Sequence, residues 1–168
     1  MRTAAEPRLS IEMLVLQSTP FCNLDCSYCY LPDRASKRQM SQATLERTFE
    51  RVFTSTFLSG HLTVLWHAGE PLVPGVAYYK NAFGIIDRLK PPGLAISHSI
   101  QTNATLLNRQ WIDFLRAHDV RVGTSIDGPP ISTTAAARPA PAAVVSSRPC
   151  GASVCFRSTT TRFMSSLY

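Results

Sequence analysis

The sequence predicts an α/β fold on a parallel sheet. Three observations carry the prediction. Four short apolar runs alternate with three amphipathic stretches of helical period. Each strand-plus-helix unit takes about thirty residues, the length of a parallel βαβ unit. Three cysteines crowd into the loop after the first run, where such folds place their ligands.

Residues 11–17, IEMLVLQ, are rich enough in branched side chains to form a buried strand. Ser41 is the N-cap of a helix in SQATLERTFERVFTSTF, with Leu45, Phe49, Val52 and Phe53 at helical spacing and Ser59-Gly60 punctuating its end. The second strand, LTVLWH at 62–67, runs into the turn AGEP. A second helix over 76–90 is stopped by Pro91-Pro92-Gly93. The third strand, LAISHSIQT at 94–102, leads to Asn103 and a short loop. Asn108 then caps RQWIDFLRAHD, with Trp111, Ile112, Leu115 and His118 on one face. The fourth strand, VRVGTSI at 120–126, ends at Asp127-Gly128-Pro129-Pro130.

At 168 residues the chain falls in the single-domain range. No apolar run is long enough to span a membrane, and MRTAAEPRLS has no apolar signal core, which predicts a reducing cytoplasm. The net charge of +6 resembles a nucleic-acid footprint only in total. Residues 1–127 hold thirteen basic and eleven acidic residues, a net of +2. The rest of the excess is Arg138, Arg148, Arg157 and Arg162, scattered without interleaved aromatics, so nucleic-acid binding is not predicted.

The run CNLDCSYC carries the most chemistry. Cys22, Cys26 and Cys29 can hold three corners of an iron–sulfur cube and leave the fourth iron without a protein ligand. Electron-transfer ferredoxins close their clusters with four cysteines, so a set of three points to an iron that activates something else. Tyr28, between the last two thiols, offers a flat apolar face to a planar ligand. Structural zinc is the alternative, but its next candidate ligands, His61 and His67, lie more than thirty residues away. A disulfide framework fits neither the odd total of five cysteines nor the tight cluster.

Three further segments follow strands and so share a rim with the cysteine loop. In AGEP, Gly69 lets its backbone approach a ligand closely, and the edge there can receive an ammonium group. Glu70 places an anion beside it, or is a solvated turn residue. Gln101, Thr102 and Asn103 supply amide and hydroxyl groups suited to ribose or carboxylate. Ser125 and Asp127, two apart, face the same mouth, or cap the turn before Gly128.

CNLDCSYC, WHAGEP, QTNATLLN and SIDGPP occur in this order and spacing in radical S-adenosylmethionine enzymes. The chain most resembles the peptide-modifying maturases with a SPASM extension, among them the anaerobic sulfatase maturases. PFCNLDCSYCYLPDR resembles in particular the cyclophane-forming maturases of glycine-rich-repeat precursors. The resemblance implies a (β/α) partial TIM barrel, of which the four strands in residues 11–130 are the N-terminal part. It also implies that Cys22, Cys26 and Cys29 ligate a [4Fe-4S] cluster whose unique iron chelates S-adenosyl-L-methionine. Tyr28 would contact the adenine side, and Gly69 the methionine amino group, with Glu70 and Pro71 shaping that turn. Ser125 would bind the cofactor, and Gln101 and Asn103 would lie nearby. Ala68 replaces the first glycine of the family's turn. The implied reaction is generation of a 5′-deoxyadenosyl radical for post-translational modification of a ribosomal precursor peptide. Flavodoxin or ferredoxin is the implied reductant. A cluster-binding module without turnover is the other reading.

The resemblance stops after Pro130. Residues 131–168 are dominated by Pro, Ala, Ser, Thr and Arg and have no acids or lysines, the composition of a disordered or frameshifted tail. Four βα units instead of about six predict an open edge at the last strand and reduced or no activity. Cys150 and Cys155 are read as incidental, and residues 1–10 as an N-terminal extension.

Overall fold

A computed structural model describes residues 9–125. Strands and helices alternate: β1 (Ile11–Leu16), α1 (Gln42–Phe53), β2 (Leu58–Trp66), α2 (Val76–Leu89), β3 (Ala95–Thr102), α3 (Arg109–Ala117) and β4 (Arg121–Thr124). Every neighbouring pair of strands is parallel, and the sheet runs in the order β1-β2-β3-β4. A doubly wound sheet reverses its order at a switch point. This one never reverses, which is how a (β/α) barrel wall is laid down. The expected partial barrel with four parallel strands is therefore what these residues form.

The strand β2 shows why the core forms on one side. Leu62, Val64 and Trp66 are fully buried, while Thr63 and Leu65 between them are only half-buried, the period of two that separates the faces of a sheet. The buried set meets an apolar layer that includes Phe49 of α1, Tyr79 and Ile86 of α2, and Trp111 of α3. Trp66 meets Tyr79 edge to face at 5.0 Å. The opposite face of β1 leaves Met13 and Val15 exposed.

Both expected helix caps are in place. The Ser41 hydroxyl accepts the Thr44 N–H at 3.1 Å, and the Asn108 side-chain Oδ1 accepts the Trp111 N–H at 3.0 Å. Several boundaries differ from expectation. The helix α1 ends at Phe53, and Ser59-Gly60 lie inside β2 rather than marking the helix end. Pairing of Leu58 with Ile11 draws this polar pair into the sheet. In α3 the buried face is Trp111, Phe114 and Leu115, with Ile112 turned partly outward, because Phe114 fills the space against Tyr79 and Phe83. The fourth strand is shorter than its apolar run, and Ser125 follows it. Asp127, Cys150, Cys155 and the arginine-bearing tail lie outside the described residues. Among the described residues no helix is long and apolar enough to cross a membrane.

Candidate functional site

The register brings the candidate segments together. Leu16, Trp66, Ile100 and Val122 stand side by side across the sheet, so the loops that follow them open on one rim. The cysteine loop is tied to the turn after β2 by two backbone bonds. The His67 N–H donates to the Leu16 carbonyl at 2.9 Å, and the Glu70 N–H to the Phe21 carbonyl at 2.8 Å.

The turn itself depends on left-handed backbone. Ala68 has a φ of +73° and Gly69 one of +64°. A Cβ on Gly69 would sit 2.3 Å from the Thr19 carbonyl oxygen and 2.8 Å from that of Phe21. Glycine at 69 is thus required by the close approach of the cysteine loop's own backbone, where a ligand is the expected neighbour. Ala68 takes the same left-handed region, at the steric cost of an L-residue there.

Glu70 is not a solvated turn residue. It is 1% exposed, and its carboxylate accepts from the Leu72 N–H at 2.9 Å, the Thr102 hydroxyl at 2.6 Å and the Asn103 N–H at 2.9 Å. Burial raises its pKa, and the three donors oppose that rise. Glu70 therefore clamps the turn after β2 to the turn after β3. Thr102, deeply buried, belongs to this clamp.

Inside the cysteine loop the fastenings are local. The Thr19 hydroxyl donates to the Arg38 carbonyl at 2.7 Å. Arg34 pairs with Asp25 at 3.0 Å and donates to the Cys26 carbonyl at 3.0 Å. Cys22, Cys26 and Cys29 are all half-buried and reduced. Burial pushes the Cys22 thiol up, and the nearby charges of Glu70, Cys26 and Cys29 push it further. The Leu24 N–H, 3.5 Å from the Cys22 sulfur, opposes this rise, and the Asn103 amide also donates to that sulfur at 3.8 Å. Donors aimed at a sulfur are the surroundings of a thiolate ligand.

Among the described residues no group of three or more His, Cys, Asp or Glu gathers to hold a single metal ion. His61 is five residues before the end of β2, about 17 Å down the strand at the usual rise, and its Nε2 is bonded to the Ser97 hydroxyl at 2.9 Å.

On the far side of the rim, the Gln101 amide donates to the Ser125 hydroxyl at 3.1 Å. Gly123 allows this, since a Cβ there would lie 2.1 Å from Gln101 Oε1. Tyr28 stands largely exposed beside its cysteines. The sequence reading missed Gly123, Asn23, Thr105 and Arg34. Asn23, Arg34 and Thr105 carried a signal, since each stands inside a quoted motif, while Gly123 carried none.

The Radical SAM superfamily model matches residues 16–141. The chain belongs to the radical SAM superfamily. Membership brings the cofactors of that superfamily, S-adenosylmethionine and a [4Fe-4S] cluster. An uncharacterised Synechocystis protein is 40% identical over 121 residues, covering 70% of this chain and 30% of the relative. The serine-type anaerobic sulfatase-maturating enzyme of Klebsiella aerogenes is 37% identical over 129 residues, 74% of this chain and 32% of that enzyme. The solved structure of native anSMEcpe with bound AdoMet and a Cp18Cys peptide superposes with a TM-score of 0.67 at 28% identity, covering 77% of this chain and 35% of that one. This radical SAM chain thus spans about a third of the length of the curated relatives it matches.

Proposed function

We propose that this chain carries the cofactor-binding rim of a radical S-adenosylmethionine peptide maturase acting in the cytoplasm. The observation that supports this best is the fusion of the three loops after β1, β2 and β3 around Cys22 by the Glu70 clamp and the Asn103 amide. Cys22, Cys26 and Cys29 would hold the [4Fe-4S] cluster. When bound, the cluster and S-adenosylmethionine supply homolytic cleavage of a sulfonium C–S bond and, through it, abstraction of a substrate hydrogen atom.

The chain's own part is to bind, orient and exclude water. The turn at Ala68-Gly69 would receive the methionine amino group, with Glu70 holding that turn from behind. Ser125, already bonded to Gln101, would hold the nucleoside side, and Tyr28 would cover the adenine. A peptide substrate is supported by the peptide in the anSMEcpe complex and by the sulfatase-maturating relatives. Flavodoxin or ferredoxin would deliver the electron.

Anaerobic reconstitution with iron and sulfide tests this reading. The full chain should load about four irons, show a [4Fe-4S] signal after dithionite reduction and release 5′-deoxyadenosine from S-adenosylmethionine. Replacing Cys22, Cys26 and Cys29 by alanine should lower iron loading at least tenfold. Loading that survives this triple substitution would overturn the proposal. The other reading is a cluster-binding module without turnover, and a cluster that forms but leaves S-adenosylmethionine intact would select it.

A further inference from the structure

Asn103 is held in place by a closed ring of hydrogen bonds. Its Nδ2 donates to Asn23 Oδ1 at 3.0 Å, Asn23 Nδ2 donates to Thr105 Oγ1 at 2.8 Å, and Thr105 Oγ1 donates back to Asn103 Oδ1 at 2.6 Å. The Thr105 N–H also donates to Asn103 Oδ1 at 3.0 Å, and the backbone N–H of Asn103 is held by Glu70 Oε2 at 2.9 Å. Every donor in the ring feeds the next acceptor in the same sense. Turning the Asn103 amide over would set NH2 against the Thr105 N–H and carbonyl against the Asn23 carbonyl. The ring therefore fixes the amide with its oxygen toward Thr105. Its remaining N–H is left for Cys22 Sγ, 3.8 Å away.

We infer that Asn103 is a positioning residue for electron transfer: its N–H donates to the Cys22 sulfur and raises the reduction potential of the cluster that the three cysteines hold. The inference rests on the proposed function. One-electron reduction of the oxidised cluster, by dithionite in the test below, adds one negative charge that spreads onto the ligating sulfurs. A donor at a sulfur stabilises the reduced form more than the oxidised one. A neutral hydrogen bond of ordinary net strength shifts such an equilibrium by about three- to tenfold, and tenfold is about 59 mV for one electron. The same contact joins the β3 loop to the cysteine loop across 81 positions of sequence, so a purely structural role is the competing explanation.

Potentiometric titration of the reconstituted full chain, followed by EPR, separates the two. Asn103→Leu removes the donor. Asn103→Asp keeps the shape and the acceptor for Thr105 but sets a carboxylate where the N–H was. The loaded fraction of both should titrate at more negative potential, Asn103→Asp the further of the two. Thr105→Val, which opens the ring and leaves Asn103 in place, should shift the potential less and in the same direction. Loaded variants with the parent potential would overturn the inference. Should Asn103→Leu not load, Asn103→Asp and pulsed EPR of the reduced parent chain in D2O decide. Asn103→Asp should lose one of the exchangeable deuteron couplings at the cluster, the Leu24 N–H coupling remaining. An unchanged set of couplings overturns the inference. A parent chain that assembles no cluster overturns the proposed function, and this inference with it.

Discussion

Two adjacent residues at the end of β2 share a left-handed backbone and differ in what they cost. Gly69 has no room for a side chain, with the Thr19 carbonyl oxygen 2.3 Å from where a Cβ would lie. Gly69→Ala combines that collision with an unfavourable φ and should destabilise the chain by roughly 3 kcal/mol or more in urea titration, loosening the cysteine loop. Ala68 already bears the φ penalty. Ala68→Gly should stabilise by about 1 kcal/mol in the same assay, because glycine tolerates positive φ without strain. A destabilising Ala68→Gly would mean that the methyl group makes contacts worth more than the backbone relief.

Single capping residues decide where the helices begin, and hence where the loops that bear the site end. Asn108 closes the loop after β3, which also bears Asn103 and Thr105, and opens α3 by accepting the Trp111 N–H on its side-chain oxygen. Asn108→Ala should cost about 1 kcal/mol, measured as a lower urea midpoint with unchanged slope. Ser41 does the same between the cysteine loop and α1. Strand β3 divides its side chains by face. Ile100 and Thr102 turn toward the buried side and Gln101 toward the open one, which separates the Glu70 clamp from the Gln101–Ser125 pair.

The whole molecule carries a titration that its core imposes. His98 on β3 stacks on Phe83 at 3.9 Å, and burial holds its pKa down to about 4 from 6.5, with His118 adding to the effect and Asp87 opposing it. A depressed folded pKa means that the unfolded chain binds the proton first. The stability contributed by neutral His98 is therefore complete above about pH 6.5 and is lost as pH falls toward 4, an effect of about 2 kcal/mol after allowing for partial exposure. Glu70 works in the opposite sense, since its raised pKa favours the folded state at low pH. Comparing the parent chain with His98→Leu at pH 7.5 and pH 4.5 isolates the histidine. The parent should lose more stability between the two, and equal losses would refute the assignment.

The sequence by itself determined the alternation of elements, both helix caps and the identity of the three thiols, because these depend on spacing and on near neighbours. CNLDCSYC needs no partner to be read as the candidate cluster loop, and apolar period distinguishes strand from helix in β2 and α2. Only the tertiary structure decided that Glu70 is a buried clamp and not a solvated anion, because its donors come from Leu72, Thr102 and Asn103. The same holds for Gly123, whose missing side chain matters only once β3 lies beside β4 and Gln101 crosses it. It holds for the ring of Asn23, Asn103 and Thr105, since a hydrogen bond spanning some eighty positions leaves no local periodicity to read. Strand order belongs here too. Alternation of β and α fits both a singly and a doubly wound sheet, and the packing of α1, α2 and α3 along one side selects the barrel.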